Sequence, residues 1–91
     1  MIVSIVDYGK DDELYYVTYD VGGLTSKQRN FLNDELEEET SIEGDGLKIV
    51  MHFNKELYPF ESDAAKIRLD DFISREEIEM NLFLSSFLEE M

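Results

Sequence analysis

Apolar and polar positions change their period several times along the chain, and each change marks an element. Ile2 to Tyr8 (IVSIVDY) is apolar on both sides of a period-two pattern, which predicts a strand lying centrally in a sheet. The polar stretch Gly9–Glu13 (GKDDE) reads as a turn. Leu14–Val21 (LYYVTYDV), rich in Tyr, Val and Thr, then reads as the returning strand of a β-hairpin. Gly22 and Gly23 stop it, and no Lys-Ser/Thr follows at the spacing a phosphate-binding loop needs. Thr25 with Gln28 spells a capping box. Leu24, Phe31, Leu32 and Leu36 recur at helical spacing, predicting a helix from Thr25 to about Glu39–Thr40 with those residues on its core side. Gly44 and Gly46 mark a turn. Leu47–Asn54 (LKIVMHFN) alternates again, with Leu47, Ile49, Met51 and Phe53 on one face and Lys48, Val50, His52 and Asn54 on the other.

Pro59 interrupts regular structure. Beyond it, Ala65, Ile67 and Leu69 alternate with Lys66, Arg68 and Asp70 as a fourth strand would. The same residues fit a short amphipathic helix from Ser62, towards which the cap and helix formers of SDAAKIRL tilt the reading. Ser74 with Glu77 spells a second capping box, predicting a last helix over Arg75–Glu90 with Glu76 and Glu77 at its positive end. Its apolar stripe is Met80, Phe83, Leu84, Phe87, Leu88 and Met91. Ile78 and Leu82 fall on the opposite side, to be covered by a loop or the preceding element, or by a second copy or a partner. The pattern adds up to a small single α+β domain over residues 1–91. Its antiparallel sheet has three or four strands with two or three helices, in the order ββαβ, then a strand or a helix, then a helix.

Composition narrows the class. Ninety-one residues, 43% hydrophobic and 12% aromatic, suffice for one small core and lie above the range of disordered chains. With no cysteine there is no disulfide framework and no thiolate chemistry. No signal peptide or membrane-length apolar stretch is read, so a cytoplasmic protein is expected, in the host cytoplasm if phage-encoded. Twenty-two carboxylates against eight Lys and Arg give a net charge of −14 and a pI near 4.1. Such a chain repels phosphates and anionic lipid, so its partners are basic proteins, metal cations or nothing in particular, the acidity then serving solubility.

Specific chemistry is thin. His52 is the one histidine and lies on the less apolar face of its strand, as a structural or exposed residue. Acid–base catalysis needs paired carboxylates whose surroundings differ, and a solvated acidic run offers none. No enzyme, catalytic residue or cofactor is therefore expected. Asp11-Asp12-Glu13 and Glu43-Gly44-Asp45-Gly46 supply oxygen ligands but not the spacing of a calcium-binding EF-hand loop, so no dedicated metal site is assigned. Tyr8, Tyr15, Tyr16 and Tyr19 suggest a base-stacking platform, yet such platforms sit in basic grooves. Asp7, Asp11, Asp12 and Asp20 surround these tyrosines, pointing to strand packing or a protein-binding surface instead.

Charge placement carries the remaining signal. Residues 33–45 (NDELEEETSIEGD) hold seven acids, Asp34, Glu35, Glu37, Glu38, Glu39, Glu43 and Asp45, and no base. Lys27 and Arg29 fall in the first turns of the predicted helix and Glu37, Glu38 and Glu39 in its last. Both ends oppose the macrodipole, at about 0.3–1 kcal/mol per misplaced charge at low salt. Helical spacing also sets Asp34/Glu38, Glu35/Glu38 and Glu35/Glu39 against each other. A local cost without local compensation points to a binding surface; otherwise Lys27 and Arg29 pair elsewhere and the run ends in water. In size, pI and charge layout the whole chain resembles the acidic DNA-mimic inhibitors of phages and mobile elements, namely anti-CRISPR, anti-restriction and uracil-glycosylase inhibitor proteins. No motif carries the likeness, and no residue role is transferred from it.

The resemblance implies a non-enzymatic inhibitor that binds a basic nucleic-acid-binding protein, a nuclease or similar, and blocks its DNA or RNA site. It would touch neither nucleic acid nor membrane itself, and would act as a monomer or homodimer. Asp34, Glu35, Glu37, Glu38, Glu39, Glu43 and Asp45 would present the mimic face. Asp11, Asp12 and Glu13 at the hairpin tip would form a second patch. An immunity protein or antitoxin neutralising a basic toxin uses the same electrostatics. A small structural protein dimerising through Ile78 and Leu82 is the alternative from another class.

Overall fold

The first hairpin is tighter than its polar tip suggests. In the computed structural model, which describes residues 1–12, 14–54 and 65–91, strand β1 (Ile2–Asp11) continues through Gly9 and Lys10. It pairs antiparallel with β2 (Leu14–Gly22), Asp11 facing Leu14 across a two-residue turn. Asp12 adopts φ 50° there, a left-handed conformation that aspartate tolerates better than most residues. Gly9 is thus a strand residue, facing Tyr16. A Cβ at Gly9 would stand 2.9 Å from the Tyr16 hydroxyl oxygen and 3.0 Å from its ring, so only glycine leaves room for that side chain.

Helix α1 (Ser26–Glu35) begins at the expected capping box. Thr25 Oγ1 accepts from the Gln28 N–H at 3.1 Å, and Gln28 Oε1 accepts from the Thr25 N–H at 2.9 Å. The helix ends earlier than expected, with Leu36 as an extended C-cap. The chain then bends at Glu37 and Glu38 into a short strand, β3 (Glu39–Glu43), which turns at Gly44-Asp45 into β4 (Gly46–Asn54). Gly44 takes φ +57° at the first turn position, as a two-residue hairpin of the II′ type requires. Glu37, Glu38 and Glu39 therefore lie outside the helix. The misplaced charges at its C-terminal end are Asp34 and Glu35, and the helical spacing of the like-charged pairs does not apply.

The four strands form one antiparallel sheet in the order β1-β2-β4-β3. This corrects the central placement of the first strand, which lies at an edge. A β-bulge explains the misreading, because the register shifts between Ile5 and Asp7, making Val6 an extra residue. Val3 and Ile5 precede the bulge and Tyr8 follows it, facing Val21, Tyr19 and Val17 of the helix-covered face. An apolar pattern on both sides of IVSIVDY thus reports a phase change, and Ile2 and Val6 stand exposed.

Helix α2 (Ala65–Leu88) is one continuous element and closes the core. It replaces the expected break, and Ser74 is not a cap but an exposed mid-helix residue. Residues 65–73 carry no glycine or proline, and extending an existing helix costs less than nucleating a second. Glu76 and Glu77 are consequently far from any dipole end. Ser62 and Pro59 lie outside the described residues. Tyr15, Val17, Tyr19 and Val21 of β2 and Leu47 and Ile49 of β4 pack against Leu32 and Leu36 of the α1 end and Met80 and Leu84 of α2. Both helices thus share one sheet face, giving a two-layer α+β fold. The other face, with Tyr16, Asp20, Lys48, Val50 and His52, carries no helix among the described residues.

Candidate functional site: an acid-rimmed cleft

The fold divides the acidic run instead of presenting it as one surface. Asp34 and Glu35 end α1, Glu39 and Glu43 lie on the helix-free face of β3, and Asp45 sits in the β3–β4 turn. Glu43 pairs with Lys48 Nζ at 3.2 Å. Among the described residues, no basic side chain pairs with Asp34, Glu35, Glu37, Glu38 or Glu39. Arg29 is spent on architecture: its Nη1 donates to the Asp45 carbonyl at 2.9 Å, tying α1 to the hairpin turn. Thr40 adds a second tie, its hydroxyl donating to Asn33 Oδ1 at 3.0 Å.

The hairpin tip forms no part of this region. Asp11 and Asp12 lie at the Leu14 end of β2, and Asp45 lies beyond its Val21 end, roughly 25 Å along the strand. Glu13 lies outside the described residues. No group of three or more carboxylate or histidine side chains among the described residues is placed to hold a metal ion. The tyrosines separate as well, Tyr15 and Tyr19 entering the core and Tyr16 lying on the opposite face. Tyr15 stacks on Phe53 with ring centres 5.0 Å apart.

Glu38 follows a different path from its neighbours. It lies at the bend just before β3 and reaches the helix-covered side of the sheet. There it lines a cleft of about 310 Å³ with Tyr19, Met51, Phe53, Glu76, Glu79, Met80 and Phe83. The floor is the buried Tyr19, whose hydroxyl donates to Glu76 Oε2 at 3.3 Å. Burial, the Glu76 charge and the hydrogen bond all push the tyrosine hydroxyl far above its ordinary value, so it remains a protonated donor. Glu76 is half-buried, and desolvation raises its carboxyl, reinforced by the Glu79 charge. The Tyr19 hydrogen bond and Arg75 oppose that rise without cancelling it.

Glu76 and Glu79 are the site residues that sequence reasoning missed: Glu76 was assigned to the start of a helix, and Glu79 was given no role. Glu76, Glu79, Met80 and Phe83 recur at helical spacing, so a stripe mixing acids with large apolar residues was present to be read. A second groove, about 530 Å³, runs beside β1 and is lined by Val3, Ser74, Glu77, Ile78, Asn81 and Leu82. Glu77 closes part of the sheet edge there, its Oε2 accepting from the Ile5 N–H at 2.7 Å. No helix among the described residues is long and apolar enough to cross a membrane.

Residues 2–90 match a family described as a family of unknown function (DUF5750), and the chain belongs to that family. No curated protein matches it.

Proposed function

We propose that this protein is a non-enzymatic acidic inhibitor of the DNA-mimic type. It binds a basic nucleic-acid-binding protein and blocks that protein's DNA or RNA site. The observation that supports the reading best is the convergence of Glu38 with Glu76 and Glu79, from segments far apart in sequence, around one cleft. No basic side chain stands among its described lining residues. Glu37 and Glu39 flank Glu38 and are exposed, Glu39 on the opposite, helix-free face, so negative charge continues round the sheet edge. Carboxylates beside apolar anchors match what a Lys/Arg-lined groove recognises, and complementary charge speeds association.

The test is capture of partners from a lysate on the immobilised protein, followed by duplex DNA as competitor. A captured protein released by duplex, whose own DNA binding the inhibitor suppresses, supports the reading. The triple variant Glu37→Lys, Glu38→Lys, Glu39→Lys should no longer suppress it. Capture indifferent to duplex overturns it. A second reading, self-association, is favoured by Ile78 and Leu82, 62% and 66% exposed beside the larger groove. Sedimentation velocity decides it, and a strictly monomeric boundary removes it.

A further inference from the structure

We infer that the cleft between β2, β4 and α2 is a receptor for a single arginine side chain. This rests on the proposed reading for the source of the guanidinium, a basic protein partner. Its walls are apolar and aromatic: Met51 and Phe53 come from β4, Met80 and Phe83 from α2. Phe83 keeps 40% of its surface exposed although it stands edge-on to Phe87, 5.0 Å away, so ring surface remains for an incoming group. Phe53 reaches the cleft while stacked on Tyr15, which fixes the plane of its ring. Such walls suit the apolar stem of a long side chain and the flat face of a guanidinium.

Charge complementarity selects the head group. Glu38, Glu76 and Glu79 all line the cleft, and the Tyr19 hydroxyl holds Glu76. A planar, permanently charged fork can bond two carboxylates at once while stacking on an aromatic wall, which a lysine ammonium cannot do. A bound cation also offsets the burial and the Glu79 repulsion that disfavour ionised Glu76. The volume of about 310 Å³ is at the low end for ligand pockets, enough for one side chain and not for a peptide segment.

The four methionines make the test direct. Met51 and Met80 line the cleft, while Met1 and Met91 do not. Methyl-labelled methionine NMR at physiological salt, with N-acetylarginine amide as probe, should show saturable shifts of Met51 and Met80 and none of Met1 and Met91. Glu76→Gln and Glu79→Gln should each weaken binding by about 10-fold, and Glu39→Gln by less than about 2-fold. Glu79 is exposed, so its variant removes charge without touching the Tyr19–Glu76 bond. An equal response to N-acetylcitrulline amide or N-acetyllysine amide overturns the inference, as do unsaturable shifts spread over all four methyls. The probe needs no partner protein. Arginine binding without duplex-sensitive capture would therefore sink the proposed function alone, and the reverse result would sink the arginine site alone.

Discussion

The carboxylates of residues 34–45 and those of Glu76 and Glu79 are one chemical group in two kinds of surroundings. Most of the first set sits in water at a helix end, an edge strand and a turn. Hydration and salt hold those charges apart, and they cost the fold little. The second set rides on a helix packed against a sheet, where burial of Glu76 and the nearby Glu79 lift its carboxyl above the ordinary range. Counting acids therefore measures net charge but not stored repulsion. The element carrying a carboxylate decides whether a bound cation would gain from meeting it.

The contrast disappears most completely if α2 leaves the sheet. Leu84 is fully buried in that contact, so Leu84→Ala should lose about 2–5 kcal/mol in urea unfolding. It should also open the cleft, which Met80 methyl shifts would report. A loss under about 1 kcal/mol would mean that α2 contributes little to the core.

Removing charge without shape has a smaller effect of opposite sign. Glu76→Gln retains an acceptor for the Tyr19 hydroxyl and deletes the desolvated charge. Since the folded state raises this pKa, the group's stabilisation is fully present below the unfolded-state value and is lost as pH rises through the folded-state one. At pH 7 the variant should melt higher than the parent, by about 2–4 °C. The gap should close as pH falls below about 4. A gap that ignores pH would show that ionised Glu76 is not the strained form.

Smallest of all are changes in the solvated set. Glu37→Gln and Glu39→Gln should each shift stability by no more than about 0.5 kcal/mol, an effect that molar salt removes. A larger, salt-resistant change would erase the distinction between the two sets.

Much of the fold was legible from the chain. The Thr25–Gln28 box, the alternation from Leu47 to Phe53 and the core stripe through Met80 and Leu84 all stand as read. What escaped reading depends on tertiary contact. Glu39–Glu43 (ETSIE) has one large apolar residue, Ile42, and becomes a strand because Leu47–Val50 offers it a paired edge. A bulge is silent in sequence, so the phase change at Val6 looked like burial on both faces. Ser74 and Glu77 spell a cap only when no helix precedes them, and here one does. The candidate site was legible only in its Glu38 portion. Its other half lies some forty residues further along, brought near by the packing of α2.

The bond from the Ile5 N–H to Glu77 has a consequence for self-association. Sheets grow by strand addition at their edges, and a protein with two open edges can propagate into a ribbon. Glu77 occupies a donor on the outer edge of β1, next to a bulge that already breaks the ladder. Among the described residues, β3 is the other edge, and it is five residues long. An added strand would have to displace Glu77 and follow a bulge on one edge, or pair with only five residues on the other. Both edges are thus poor templates for strand addition.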